Sequence, residues 1–484
     1  MIDARVTTRL MAMPVLWMGS VQMVFGGLSV ALFRDDVARV FLEPGLAMLL
    51  GGGVLFWKMR RTNLALASYQ DALFYAVATW VVTGLLGALP ILYIEHVSFA
   101  DAVFESVSAL TTTGATVLSG LDNMPLTFLL YRQFLQWMGG LGIVIFVVAV
   151  LPMLNVGGMR LLKAETPGPM KNDKLSPRIA DTARHLWGVY ITATLACALC
   201  YWLGGMTVFD AFAHSLATVS TGGFSTHDAS MGYFDSQLLL AIADVFMLVG
   251  AISFAVHFRA VHRADLKVYW VDEETRIFLL IVICLSLILT AYLLATEVFT
   301  DVLECLGRSF FHVISFITST GFAADDFVSW PAAAGFLLVF SGYLGGCSGS
   351  TAGGNKIIRN ILTIKLVNQA MGHILHPRSI YTLKYQRRPV AEDVQGSVMG
   401  FMSFAAASSA VLTLMMMATG LNFWSAFTAV AACINVLGPG FDQVGANFKP
   451  VSDAGKWILS GAMILGRLEY FTVFALLSPR LWRA

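Results

Sequence analysis

Phe104-Glu-Ser-Val-Ser-Ala-Leu-Thr-Thr-Thr113-Gly114 is the first of four stretches of this chain that line up on a glycine. The others are Phe212-Ala-His-Ser-Leu-Ala-Thr-Val-Ser-Thr221-Gly222, Phe311-His-Val-Ile-Ser-Phe-Ile-Thr-Ser-Thr320-Gly321 and Thr428-Ala-Val-Ala-Ala-Cys-Ile-Asn-Val-Leu437-Gly438. Three of the four carry Phe ten residues before the glycine, and three carry Ser/Thr-Thr-Gly. Each apolar run before the glycine is about ten residues, too short to cross a bilayer but suited to a re-entrant half-helix. Each is flanked by a long apolar segment on either side. The chain therefore reads as two N-terminal spans followed by four copies of span, half-helix, glycine turn, span.

Composition agrees with that reading. Of 484 residues, 57% are hydrophobic and only 13% charged. Soluble chains carry about 25% charged residues, so a water-soluble fold, a disordered chain and a disulfide scaffold are excluded. The formal net charge of +1 gives no support for a nucleic-acid partner. Ten spans of about 20 residues are expected, near 11–33, 37–57, 70–94, 127–154, 184–204, 237–258, 275–299, 333–364, 393–418 and 456–478. Of the 31 Lys and Arg residues, 24 fall in segments that alternate on one side of these spans. The positive-inside rule puts that side, with both termini, in the cytoplasm. The expected units are 1–68 (two spans), 69–157, 158–264, 265–368 and 369–484 (one repeat each).

A half-helix entering from outside aims its C-terminal carbonyls, with their partial negative charge, at the membrane centre. The chain must then return as extended backbone, which is tolerated at that depth only where it lines a cavity. Four such turns about an axis make a ring of carbonyl oxygens able to replace the water shell of a cation.

These motifs resemble, over essentially the whole chain, the Trk/Ktr/HKT superfamily of potassium transporters, and within it the bacterial TrkH type. Thr111-Thr-Thr-Gly-Ala-Thr116, Thr218-Val-Ser-Thr-Gly-Gly-Phe-Ser225, Thr318-Ser-Thr-Gly-Phe322 and Asn435-Val-Leu-Gly-Pro-Gly-Phe441 are similar to its four filter loops, in order. Gln136-Trp-Met-Gly-Gly-Leu-Gly142 resembles the helix start after the first filter. The resemblance implies an all-α polytopic protein of the bacterial inner membrane that takes up K+, as a channel or a symporter. The ion-binding residues it implies are Thr112, Thr113, Gly114, Ser220, Thr221, Gly222, Ser319, Thr320, Gly321, Val436, Leu437 and Gly438. Gly114 goes with potassium preference, since serine there accompanies sodium preference in the plant branch.

Gly345-Gly-Cys-Ser-Gly-Ser-Thr-Ala-Gly-Gly354 cannot be regular helix, because each of its five glycines costs about 1 kcal/mol against Ala. By resemblance it is the intramembrane loop that obstructs the pore, with Gly345, Gly346, Ser348, Gly349, Gly353 and Gly354 as gate residues. Asn355 stands where the family suggests an apolar residue. Arg467 is charged at membrane depth. By resemblance it is an ion barrier beside the pore; a structural pair with a carboxylate on another helix is the alternative. Asp244 is open between pore electrostatics and a structural pair. His214 and His312 read as satisfied packing residues.

The resemblance further implies a homodimer, contact with membrane lipid and a cytoplasmic nucleotide-binding regulatory subunit of the TrkA kind, docking on loops 158–184, 259–276 and 365–392. This chain itself is expected to bind no nucleotide: Gly349 to Lys356 lacks the strand and spacing of a phosphate loop. Gly346-Cys-Ser348-Gly349 matches a serine-protease pattern, but the histidines that follow, His373 and His376, lie in a basic loop, so no enzyme is expected. Two rivals remain at this level, the channel-like subunit of a potassium-pumping ATPase and a membrane scaffold without a pore.

Overall fold

Side-chain caps start all four half-helices. Ser98 and Thr207 accept from the backbone N–H groups of Asp101 and Asp210 at 3.1 and 3.0 Å, Asp301 from Leu303 at 3.0 Å and Asn422 from Ser425 at 2.9 Å. A short polar side chain before an apolar run satisfies N–H groups that the first helical turn leaves without partners. The computed structural model describes residues 3–64, 68–140, 142, 179–379, 381–468 and 470–479.

Two helices precede the repeats, α1 (Ala4–Leu28) and α2 (Ala38–Lys58). They cross where Gly19 faces Gly45, a close approach typical of small residues between membrane helices. Repeat 1 is α3 (Tyr69–Glu95), the half-helix α4 (Phe99–Leu110) and α5 (Leu126–Gly140). Repeat 2 is α6 (Ile179–Leu203), the half-helix α7 (Val208–Val219), α8 (Gln237–Ala251) and α9 (Phe254–Arg263). A short α10 (Lys267–Val271) leads to repeat 3: α11 (Glu273–Ala295), the half-helix α12 (Val302–Ile317), α13 (Ala332–Leu344) and α14 (Ile357–Leu375). A hairpin of β1 (Lys384–Tyr385) and β2 (Arg388–Pro389) follows. Repeat 4 is α15 (Glu392–Ala418), the half-helix α16 (Phe423–Ile434), α17 (Asp453–Leu468) and α18 (Tyr470–Leu477). The chain is an all-α polytopic membrane protein.

Six of the described helices are long and apolar enough to cross a membrane, or eight if α8–α9 and α17–α18 each count as one bent span. The other two expected spans do not appear as single helices, for different reasons. Of 127–154 the described part stops at Gly140, apart from residue 142. The span 333–364 is divided by the glycine-rich loop into α13, of 13 residues, and α14.

The span expected over 237–258 needs correction. Ile252 is extended and Ser253 non-helical, and α9 leaves α8 at 99°. The freed backbone groups find partners in the glycine-rich loop. Cys347 N–H donates to Ala251 O at 2.8 Å, Thr351 N–H to Gly250 O at 3.1 Å, and Phe254 N–H to Gly349 O at 3.0 Å. Broken helix at membrane depth survives only where protein supplies such partners.

Candidate functional site: a ring of four turns

All four half-helices end in the same way. Thr112 N–H donates to Ala109 O at 3.0 Å and Thr113 N–H to Ser108 O at 2.9 Å. The equivalent pairs are Thr221 to Thr218 and Gly222 to Ala217, Ser319 to Phe316 and Thr320 to Ser315, Val436 to Cys433 and Leu437 to Ala432. Each is a Schellman closure, with a left-handed residue just past the cap. That residue is usually glycine; here it is Thr112, Thr221, Ser319 or Val436, at φ of 59°, 54°, 54° and 57°. The closures consume the N–H groups of these residues and leave their carbonyls unused by the helix.

Two residues further on, each turn reaches a second left-handed position, held by Gly114, Gly223, Gly321 and Gly438. These four glycines close a ring. A Cβ on Gly114 would overlap Gly222 O, one on Gly223 would overlap Thr320 O, one on Gly321 would overlap Leu437 O, and one on Gly438 would lie 2.5 Å from Thr113 O. Each repeat thus lays its glycine on the carbonyl of the next, and the fourth on the first.

The ring corrects the register of repeat 2. The glycine equivalent to Gly114, Gly321 and Gly438 is Gly223, while Gly222 holds the position of Thr113, Thr320 and Leu437 and contributes its carbonyl. Phe212, which suggested the other register, is 43% exposed, whereas Phe104 and Phe311 are fully buried.

In the corrected register, a polar side chain on each half-helix braces the strand leaving the turn. Nine residues before the ring glycine stand Glu105, His214 and His312. Glu105 accepts from Thr116 Oγ1 at 3.0 Å and from Val117 N–H at 3.0 Å. His214 Nε2 bonds Ser225 Oγ at 2.9 Å, and Ala324 N–H donates to His312 Nε2 at 3.4 Å. In repeat 4, Thr428 accepts from Phe441 N–H at 3.2 Å. His214 and His312 are also satisfied at Nδ1, by Asp210 O and Arg308 O at 2.9 Å each. Glu105 is fully buried and paired with Arg132, itself 1% exposed, at 2.9 Å to Nε and 2.5 Å to Nη2. The Arg132 guanidinium lies 4.1 Å from the Phe224 ring centre and so ties repeat 1 to repeat 2. Gln136 adds a second tie, donating to Gly222 O at 2.6 Å and accepting from Phe224 N–H at 3.1 Å.

The glycine-rich loop packs against the C-terminal ends of the half-helices. Gly353 N–H donates to Ser319 Oγ at 2.5 Å, Gly354 N–H to Asn435 O at 3.1 Å, and Thr351 Oγ1 to Val219 O at 3.1 Å. Gly345, Gly349 and Gly354 are left-handed, and a Cβ on Gly354 would lie 2.6 Å from the Cα of Gly345, so the two ends of the loop touch. Arg467 joins this loop to repeat 1: Nη1 donates to Thr351 O at 2.9 Å, and Nη2 to Gly139 O at 2.6 Å and Gly140 O at 2.7 Å. These three hydrogen bonds go to carbonyls.

Sequence and structure comparisons agree with one another. The TrkH family profile, described as a cation transport protein, matches residues 38–483. The chain is 42% identical to the Trk system potassium uptake protein TrkH of Salmonella typhimurium over 481 residues, covering 99% of each. It is 44% identical to the protein of that name from Vibrio parahaemolyticus over 469 residues, 96% of each. The crystal structure of the potassium transporter TrkH from Vibrio parahaemolyticus superposes with a TM-score of 0.90 at 40% identity, covering 100% of both chains.

The chain belongs to the TrkH family. TrkH proteins are transporters, not enzymes, and Ser348, the one enzyme-like serine in this TrkH chain, donates its backbone N–H to Glu274 Oε1 at 2.7 Å. Asp244 takes part in no ion pair among the described residues, and its Oδ1 is buried without a hydrogen-bond partner. Asn355 is held through its backbone N–H, which donates to Tyr343 O at 3.0 Å. Reading the sequence missed Gly223, Glu105, Arg132 and Glu274. A charged residue inside an apolar segment was the available signal for Glu105 and Arg132; Glu274 sits in the charged run Asp272–Glu274 before a span, where nothing marked it.

Proposed function

We propose that this TrkH protein takes up potassium across the bacterial inner membrane, with both termini in the cytoplasm, through the ring of four turns. Potassium is the cargo. It sheds its water against the carbonyls at Thr112–Gly114, Ser220–Gly223, Ser319–Gly321 and Val436–Gly438, facing the negative ends of four half-helices. The observation that carries the reading is the closed ring, in which each glycine lies on the next repeat's carbonyl. The relatives' names, potassium uptake protein, supply the ion. One chain provides all four turns, so the homodimer expected from the family serves assembly or control, not construction of the pathway.

Gating falls to loop 345–354 and Arg467. The loop lies against three half-helix ends, and Arg467 pins it to repeat 1 while placing a positive charge on the ion's route. A cytoplasmic nucleotide-binding subunit would dock on the basic loops; of these, residues 158–178 lie outside the described residues.

The test is flux into liposomes holding only the purified protein, with potassium, rubidium or sodium outside. Potassium and rubidium flux above sodium flux, with that preference lost in Gly114→Ser, is the expected result. Equal sodium and potassium flux in the wild type would overturn the selectivity claim. Flux unchanged by substitution of all four ring glycines would overturn the pore.

A further inference from the structure

We propose that Glu274 is a clamp holding the intramembrane loop in place, and that the hairpin 384–389 is the lever acting on it through Glu273 and Asp272. The proposal rests on the reading of loop 345–354 as the gate.

Glu274 lies in the first turn of α11, 6% exposed. A single oxygen, Oε1, accepts from Ser348 N–H at 2.7 Å and from Ile358 N–H at 3.0 Å. The first donor is inside the loop and the second opens α14, so one carboxylate holds a loop residue and the helix that follows. Ile358 is buried and Ser348 partly buried, so removing the carboxylate takes an acceptor from a buried N–H, the situation in which a lost hydrogen bond costs most.

The two residues before Glu274 face the other way. Glu273 Oε2 accepts from Gln386 N–H at 2.9 Å, and Glu273 Oε1 meets Lys365 Nζ at 2.5 Å. Asp272, the cap of α11, accepts from Gln386 Nε2 at 3.0 Å and lies 3.8 Å from Arg259 Nη2. Lys365, on α14, also donates to Lys384 O at 3.0 Å. Gln386 and Arg387 form the tight turn of the hairpin with φ of 47° and 63°, as two-residue hairpins require. Leu383, Tyr385 and Val390 are buried, while Lys384, Gln386, Arg387 and Arg388 are exposed. The hairpin thus has a fixed base and a basic tip open to contact. Three consecutive acidic residues carry one continuous set of bonds from that tip to the loop.

Such a path is established by coupling energy, not by proximity. Rubidium flux into liposomes, with the full-length protein and no partner, measures the basal flux that the loop permits. Glu274→Ala is expected to raise this flux at least about tenfold through loss of both acceptor contacts, one of them buried. Glu274→Met, which keeps the bulk, is expected to do the same, so a folding defect in one variant does not decide the outcome. Glu274→Gln keeps an acceptor oxygen and is expected to restore the low flux. Lys365→Met is expected to raise flux alone but to add nothing to Glu274→Ala. Additive effects would overturn the lever. The control is deletion of residues 347–352, which the touching loop ends permit. Conduction by that deletion with wild-type flux in Glu274→Ala and Glu274→Met would overturn the clamp and leave the gate standing. Wild-type flux in the deletion itself would overturn the gate, and the clamp with it.

Discussion

Gly222 and Gly223 stand side by side, yet only one of them has to be glycine for backbone reasons. Gly223 is left-handed at φ 73°, and a Cβ there would overlap the carbonyl of Thr320. Gly222 is not left-handed, and a Cβ there would first meet the side-chain amide of Gln136 at 2.5 Å, the end of a flexible side chain. Left-handed geometry alone costs an L-residue about 1–2 kcal/mol. Gly223→Ala is therefore expected to lower rubidium uptake at least about tenfold and to erase the preference over sodium, the overlap adding to that cost. Gly222→Ala is expected to keep more uptake and selectivity than Gly223→Ala, since the Gln136 amide and its two ties must give, at about 1–3 kcal/mol, but no backbone does. The reverse order, in the same uptake assay, would restore the register suggested by Phe212. That register was the more attractive one in the sequence because Phe and Ser/Thr-Thr-Gly both fitted it. What decides against it is where α7 ends and which phenylalanine is buried, and a glycine doublet carries neither.

The half-helices and their turns were legible because length and repetition mark them. Runs of about ten apolar residues ending at a glycine cannot be spans, and four copies do not arise from capping alone. The braces were not legible, because a glutamate, two histidines and a threonine share no residue type. They share a place: each is buried on a half-helix with the strand leaving the turn within hydrogen-bond reach. Two predictions belong to this scale. Arg132→Met leaves Glu105 buried without its partner, and breaking a buried pair in this way costs about 3–5 kcal/mol. A clear drop in thermal unfolding temperature of the detergent-solubilised protein is expected, larger than for Arg132→Lys, which keeps a charge. Thr428→Val removes the acceptor of Phe441 N–H at nearly constant volume, at a cost of about 1–3 kcal/mol. Its expected signature is a smaller thermal shift together with raised sodium flux, because the fourth turn loses its brace while the others keep theirs. An unchanged sodium-to-rubidium ratio in Thr428→Val would mean that the brace serves stability alone.

At the scale of the molecule, three of the four seams of the ring are joined a second time outside the turns. Gly120 N–H donates to Asp228 at 2.8 and 3.0 Å between repeats 1 and 2, and Gly232 N–H to Ala323 O at 3.1 Å between repeats 2 and 3. Phe448 N–H donates to Thr116 O at 2.8 Å, and Lys456 meets Asp101 at 2.6 Å, between repeats 4 and 1. The last of these seams joins the two ends of the repeat array. The carbonyl against each ring glycine is supplied by the same chain, so the ring is complete within one copy. Reconstitution of mixtures tests this. When wild-type chains are mixed in increasing proportion with the Gly223→Ala chain at fixed total protein, rubidium uptake is expected to rise in direct proportion to the wild-type fraction. A curve that falls well below that line would mean that an inactive chain silences its neighbour. The unit of transport would then be the dimer, although the ring is complete within one chain.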